Sequence, residues 1–143
     1  MANLPGAGAA GGLGAGLAAL LGARLRPGAD LVAQSIDLAG KLAGCDLVIT
    51  GEGRLDGQTL FGKAPAGVAR IARKLGLPVI AICGSLGPDA AKVRALGIAA
   101  FFSALEEPVP AGELSRRAPD MLARCAEQVG RLLALKSKSR FTG

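Results

Sequence analysis

The chain has 143 residues, half of them hydrophobic, and carries a net charge of +6 from 17 basic and 11 acidic side chains. That length suits one domain with one core, and with four Phe but no Trp or Tyr the core must be aliphatic. The absence of histidine excludes Ser-His-Asp and Cys-His nucleophilic schemes and the H-E-x-x-H zinc site.

Residues 4–23 are uncharged and about as long as a membrane span, but glycines at 6, 8, 11, 12, 14, 16 and 22 thin their apolar surface and no basic residue precedes them. They read as a glycine-rich turn entering a small-residue helix, and a membrane role is not expected. Leu13, Leu17, Leu20, Leu21 and Leu25 recur at helical intervals, which predicts a helix over 9–24 closed by Arg24, Arg26 and Pro27. Asp30 is placed to cap a second helix whose Leu31, Val32, Ile36, Leu38 and Leu42 form one apolar side up to Gly44. The period then changes. Residues 46–50 form a short apolar run expected to be a strand covered on both faces.

Residues 51–63 read as a long polar loop, and Pro65 opens a helix that faces inward through Val68, Ile71, Ala72 and Leu75. A second buried strand is predicted over 78–83, a turn over 84–87, a short helix over 88–96, a third strand over 98–103 and a last helix over 112–135. This alternation predicts an α/β fold, a Rossmann-like three-layer parallel sheet with about three strands in this chain. Three strands are few against the usual five or six, so the sheet is expected to be incomplete. Residues 1–27 are assigned to a glycine-rich segment and helix at the junction with a second domain, 28–135 to a partial Rossmann-like domain, and 136–143 to a loose basic tail.

Cys45, Cys83 and Cys125 form no C-x-x-C and are odd in number, which argues against a zinc ribbon or disulfide framework and for a reducing cytoplasm. The basic residues are scattered and lack interleaved aromatics, so small anions are expected as ligands and nucleic acid is not.

Three glycine-bearing stretches are candidates for anion binding. Gly6-x-Gly8-x-x-Gly11 matches a dinucleotide fingerprint by letter, but no strand precedes it; free amides at Gly8 and Gly11 near a helix start remain possible anion contacts beside a plain packing role. Gly57-x-x-x-x-Gly62-Lys63-Ala64 lacks the hydroxyl that a P-loop places after its lysine, leaving Lys63 as a phosphate contact at a helix entry. Gly51-Glu52-Gly53-Arg54-Leu55-Asp56 is the densest constellation. Arg54 suits a bidentate grip on carboxylate or phosphate, while Glu52 or Asp56 suits a base or an Mg²⁺ carboxylate, with Asp56 favoured. The competing reading is a solvated loop whose charges satisfy one another. Gln58, Thr59 and Ser85 offer uncharged hydrogen bonds to a ligand or to the loop itself, and Cys83 is read as a small buried hydrophobe.

Asp46-Leu-Val-Ile-Thr-Gly-Glu-Gly-Arg54, Asp56, Gln58-Thr59, Gly62-Lys63-Ala-Pro65, Gly67-Val-Ala69, Pro78-Val-Ile-Ala and Gly84-Ser-Leu-Gly87 together resemble the bacterial type I glycerate kinases, as does the upstream stretch from Gly6 to Gly12. The resemblance runs over roughly 5–135. It implies a cytoplasmic phosphotransferase that moves the γ-phosphoryl of ATP to D-glycerate, giving 2-phosphoglycerate, with Mg²⁺. Members of that family are more than twice as long and begin with a strand and an Asp-Ser-Phe-Lys-Gly-like segment, so the chain looks like their carboxyl-terminal third. Its expected partners are glycerate, ATP and either the missing amino-terminal half or a second copy. A non-catalytic remnant and a nucleotide hydrolase centred on Lys63 are the competing expectations.

Overall fold

The computed structural model describes residues 6–138. Helix α1 spans Ala9–Leu21, but Ala10, Gly11 and Gly12 have left-handed backbone angles, so regular helix begins only after them. Gly22 ends it in a left-handed cap, three residues before the end expected from the leucine spacing. The leucines that suggested the helix are on its outside, with Leu20 85% and Leu21 76% exposed.

The single helix expected between 30 and 43 is two, α2 at Gly28–Ser35 and α3 at Leu38–Leu42. Asp37 breaks it by taking a left-handed conformation and accepting a hydrogen bond from the Gly40 N–H, a local alternative that short polar side chains offer to helix continuation. Asp30 does not cap α2, since Pro27 occupies that position; its carboxylate instead pairs with Arg70.

Three parallel strands form the main sheet in the order β1 (Val48–Thr50), β3 (Val79–Cys83), β5 (Ile98–Ser103). The central strand β3 is buried along its whole length, as its Val-Ile-Ala-Ile-Cys run predicts. One face packs on α4 (Ala64–Lys74) and on a 3₁₀ helix at Ala90–Leu96, through Ala69, Ala72, Val93, Val79 and Ile98. The other packs on α5 (Ala111–Lys138), where Met121, Cys125 and Val129, four residues apart, meet Ile80 and Ile82. Helices thus cover both faces, giving the expected three layers.

Four details differ from expectation. The stripe that α4 buries consists of Pro65, Ala66, Gly67, Ala69 and Ala72; Leu75 is exposed, because small residues let the helix lie close to the sheet. β1 is an outer strand shorter than 46–50, and Ile49 is 53% exposed rather than covered, since no residue of Val48–Thr50 joins the core on the α5 side. The 51–63 segment is ordered: it holds β2 (Arg54–Leu55), which pairs in parallel with β4 (Ser85–Leu86) in a separate two-stranded ladder beside the expected three-stranded sheet, and a 3₁₀ helix at Gly57–Phe61. Finally, α5 continues through Lys138, so the first residues of the expected loose tail are helical; 139–143, with Arg140, lie outside the described residues.

Among the described residues no helix is long and apolar enough to cross a membrane.

Candidate active site

The carboxyl ends of β1 and β3 run on together beyond the sheet. Gly84 N–H donates to the Glu52 carbonyl at 3.0 Å, Ser85 N–H to the Gly53 carbonyl at 3.0 Å and Gly87 N–H to the Leu55 carbonyl at 2.8 Å. This approach leaves no room for side chains at two positions. A Cβ on Gly51 would overlap the Ile82 carbonyl, and one on Gly84 would lie 2.5 Å from the Gly53 carbonyl oxygen. Gly51 and Gly84 are therefore what allows the two strand ends to touch and carry Glu52 and Arg54 out over the sheet.

The charged side chains then fold onto one another. Asp56 is the N-cap of the 57–61 helix, accepting from the Gln58 N–H at 2.9 Å, and its second oxygen faces the Arg54 guanidinium at 3.6 Å. Lys63, the N-cap residue of α4, lies 3.8 Å from both the Glu52 and Asp56 carboxylates. Glu52 also accepts a hydrogen bond from the Thr59 hydroxyl. Two carboxylates and two cations balance, so the expected ionic cluster exists and is internally paired. Exposure separates its members: the Glu52 and Asp56 side chains are 14% and 18% exposed, Lys63 40% and Arg54 61%. The cations can swing to an incoming anion, whereas the carboxylates are held.

A cavity of about 570 Å³ opens beside this arch, lined by Gly51, Glu52, Gly53, Ser85 and, from α5, Leu114 and Met121. A second basin of about 440 Å³ lies against Asp56 and Gln58, with Asp89 and Lys92 opposite. Of the residues expected in the site, Gly51, Glu52, Gly53 and Ser85 thus share one cavity and Asp56 and Gln58 another, with Lys63 bridging Glu52 to Asp56. Gly8 is the N-cap of α1 and Gly11 lies within it, and they line neither.

Of the two contacts open to Thr59, a ligand or the loop itself, the structure shows the second. The residue is wholly buried, and its hydroxyl is used internally. The resemblance of 57–63 to a P-loop also fails on geometry, because Gly57 to Phe61 coil into a capped 3₁₀ helix in place of an open cradle. The α5 wall and the Asp89–Lys92 pair were missed. Leu114 and Met121 carry only the periodicity of a core-facing helix, and nothing local reports that α5 folds back over the strand ends.

Cys83 sits beneath the arch with its thiol pushed above the usual range, first by burial and further by the nearby Glu52 and Cys125 charges; burial likewise raises Cys125. Both are packing groups.

The glycerate kinase family model matches residues 1–134. The chain belongs to the glycerate kinase family. It is 46% identical over 129 residues to a glycerate kinase of Halalkalibacterium halodurans, a match that covers 90% of this chain and 34% of that protein. To a glycerate 2-kinase of Escherichia coli K12 it is 45% identical over 133 residues, 93% of this chain and 35% of that protein. The crystal structure of a putative glycerate kinase 2 from Salmonella typhimurium LT2 superposes with a TM-score of 0.70 at 41% identity, over 93% of this chain and 34% of that one. The chain thus spans about a third of the length of the relatives it matches.

Proposed function

We propose that the 51–63 arch is the phosphoryl-transfer site of a cytoplasmic glycerate kinase, taking ATP and D-glycerate to ADP and 2-phosphoglycerate. The observation that carries this reading is the placement of Glu52 on the wall of the 570 Å³ cavity while its carboxylate is paired with Lys63, a cation exposed enough to exchange partners. A hydroxyl of glycerate attacks the γ-phosphorus, the bond from that phosphorus to the β,γ-bridging oxygen breaks, and the hydroxyl proton passes to Glu52. Lys63 and Arg54 leave their carboxylates to meet phosphate oxygens or the glycerate carboxylate, where such charges contribute most to phosphoryl transfer.

Asp56 is less suited to the role of base that its sequence position favoured, because its carboxylate is committed as the N-cap of the 57–61 helix and lies in the other basin. It suits Mg²⁺, which takes one or two carboxylates and completes its shell with water and phosphate oxygens. Two carboxylates sharing one lysine provide such a donor set, although among the described residues no three His, Cys, Asp or Glu side chains converge. When bound, Mg²⁺ neutralises charge on the triphosphate. Ser85 and Gln58 add uncharged hydrogen bonds at the two basins.

The test is D-glycerate-dependent release of ADP by the purified chain. Turnover of ATP without glycerate would instead support a simple hydrolase centred on Lys63.

A second reading rests on a separate observation. Leu20, Leu21 and Ile49 are exposed, and the matched relatives are nearly three times as long. On that reading the chain supplies one wall of the cleft and acts only with a complementary polypeptide or a second copy. Sedimentation as a compact monomer that binds no apolar dye would count against it.

A further inference from the structure

Thr59 is the one polar residue wholly enclosed among the described residues, at 0% exposure, and both ends of its hydroxyl are occupied. Its oxygen accepts from the Asp56 N–H at 3.3 Å, closing the capping box of the 57–61 helix from the third helical position, where Glu or Gln is usual. A hydroxyl has a single proton. With the oxygen's acceptor side turned to Asp56, that proton points to Glu52 Oε1. Lys63 holds the other carboxylate oxygen, Oε2, at 3.8 Å.

Glu52 is therefore located from two sides by one short segment, and the two holders differ in kind. Lys63 is 40% exposed on a flexible stem and is the cation that an anionic ligand recruits. Thr59 is rigid at χ1, enclosed, and fixed by the backbone of Asp56. When Lys63 leaves, the hydroxyl remains as the contact that aims the carboxylate.

We infer that Thr59 is a positioning residue for the proposed base: its hydroxyl holds the Glu52 carboxylate toward the cavity while Lys63 exchanges from Glu52 to the phosphoryl groups. The inference rests on the function proposed above. It also accounts for a threonine in place of the longer glutamate or glutamine. Thr59 Oγ1 closes the capping box and reaches Glu52 at once, and a residue at this position needs a hydroxyl donor to do both.

The test uses the whole chain with Thr59→Val, which keeps the shape and removes the hydroxyl, and Thr59→Ser, which keeps the hydroxyl. Proton NMR of threonine-labelled wild-type protein should show a hydroxyl proton at Thr59 protected from exchange. In glycerate-dependent ADP release, Thr59→Val should lower kcat by about 100-fold, the scale of a misplaced reacting group, with KM within about twofold, and Thr59→Ser should recover most of the loss. A wild-type chain without the protected proton overturns the inference, independently of any turnover. So does a folded Thr59→Val chain with wild-type kcat, or one whose loss is not relieved by serine. A wild-type chain that shows the proton but phosphorylates glycerate neither alone nor with its residues 1–134 in place of the matched segment of the Escherichia coli glycerate 2-kinase overturns the proposed function itself, and with it the role of Thr59 in that reaction.

Discussion

The 51–63 arch and helix α1 are both rich in glycine, yet they have opposite surroundings. In the arch every charge is paired, the backbone bonds to the 84–87 segment, and Gly51, like Gly84 opposite it, sits where a Cβ would strike a neighbouring carbonyl. Along α1 and its N-cap the glycines at 8, 11, 12 and 16 meet nothing within 4 Å, Gly14 alone packing closely, against Gly6 and Leu25, and Leu13, Leu17, Leu20 and Leu21 face outward. Gly51 in the first region is a requirement of close packing. In the second, glycine leaves a surface with no partner among the described residues. The contrast separates a site that organises itself from a face that contributes little to this fold.

The arch side can be broken at its most committed points. Glu52→Gln keeps the Thr59 contact but removes the base, and steady-state assays should show kcat down by about 10²–10⁴-fold, the range usual for a lost general base. Gly51→Ala forces the β1 end away from Ile82 and should cost about 3 kcal/mol in urea unfolding, at the upper end for overpacking. A near-neutral result there would mean that the strand ends are not in contact.

How much of this contrast was legible in the sequence depends on the range of the interaction involved. The strands at 78–83 and 98–103 were readable because Val-Ile-Ala-Ile-Cys and Ile-Ala-Ala-Phe-Phe-Ser carry their own burial signal. Glu52, Arg54, Asp56 and Lys63 were recognisable as one cluster because they lie within twelve residues of each other. The division of labour within it was not. That Asp56 is a helix cap, or that Thr59 is enclosed, depends on a 3₁₀ turn between them which no apolar period announces. The leucines of α1 show the opposite error, since helical spacing reports a face but not what covers it. Likewise the apolar side read across 31–42 could not foresee the break at Asp37.

The α1 side is tested more gently. Replacing Leu20 and Leu21 with serine should change stability by no more than about 0.5 kcal/mol, as for surface positions away from packed features, while reducing any self-association seen by sedimentation. A large loss of stability would show that α1 is packed in solution.

The smallest effect concerns the thiols. At pH 8 Cys45, which is exposed, should react readily with a disulfide reagent while Cys83 and Cys125 stay silent until the chain unfolds. Because burial raises both thiols in the folded state, the unfolded chain loses these protons first. Their contribution to stability is fully present below the ordinary thiol range and is lost as pH climbs through the raised folded values. Unfolding free energies measured from pH 7 to 10 should fall accordingly, and a rise would contradict the burial of these groups.

The central claim is that this arch transfers phosphoryl groups to glycerate. Its most direct test is a chimera in which residues 1–134 replace the matched segment of the Escherichia coli glycerate 2-kinase, assayed for glycerate-dependent ADP release. Activity within about tenfold of the parent, equivalent to about 1.4 kcal/mol in the barrier, and its loss on Glu52→Gln are the results predicted. A folded chimera that binds ATP without phosphorylating glycerate, or one indifferent to Glu52→Gln, would contradict the account.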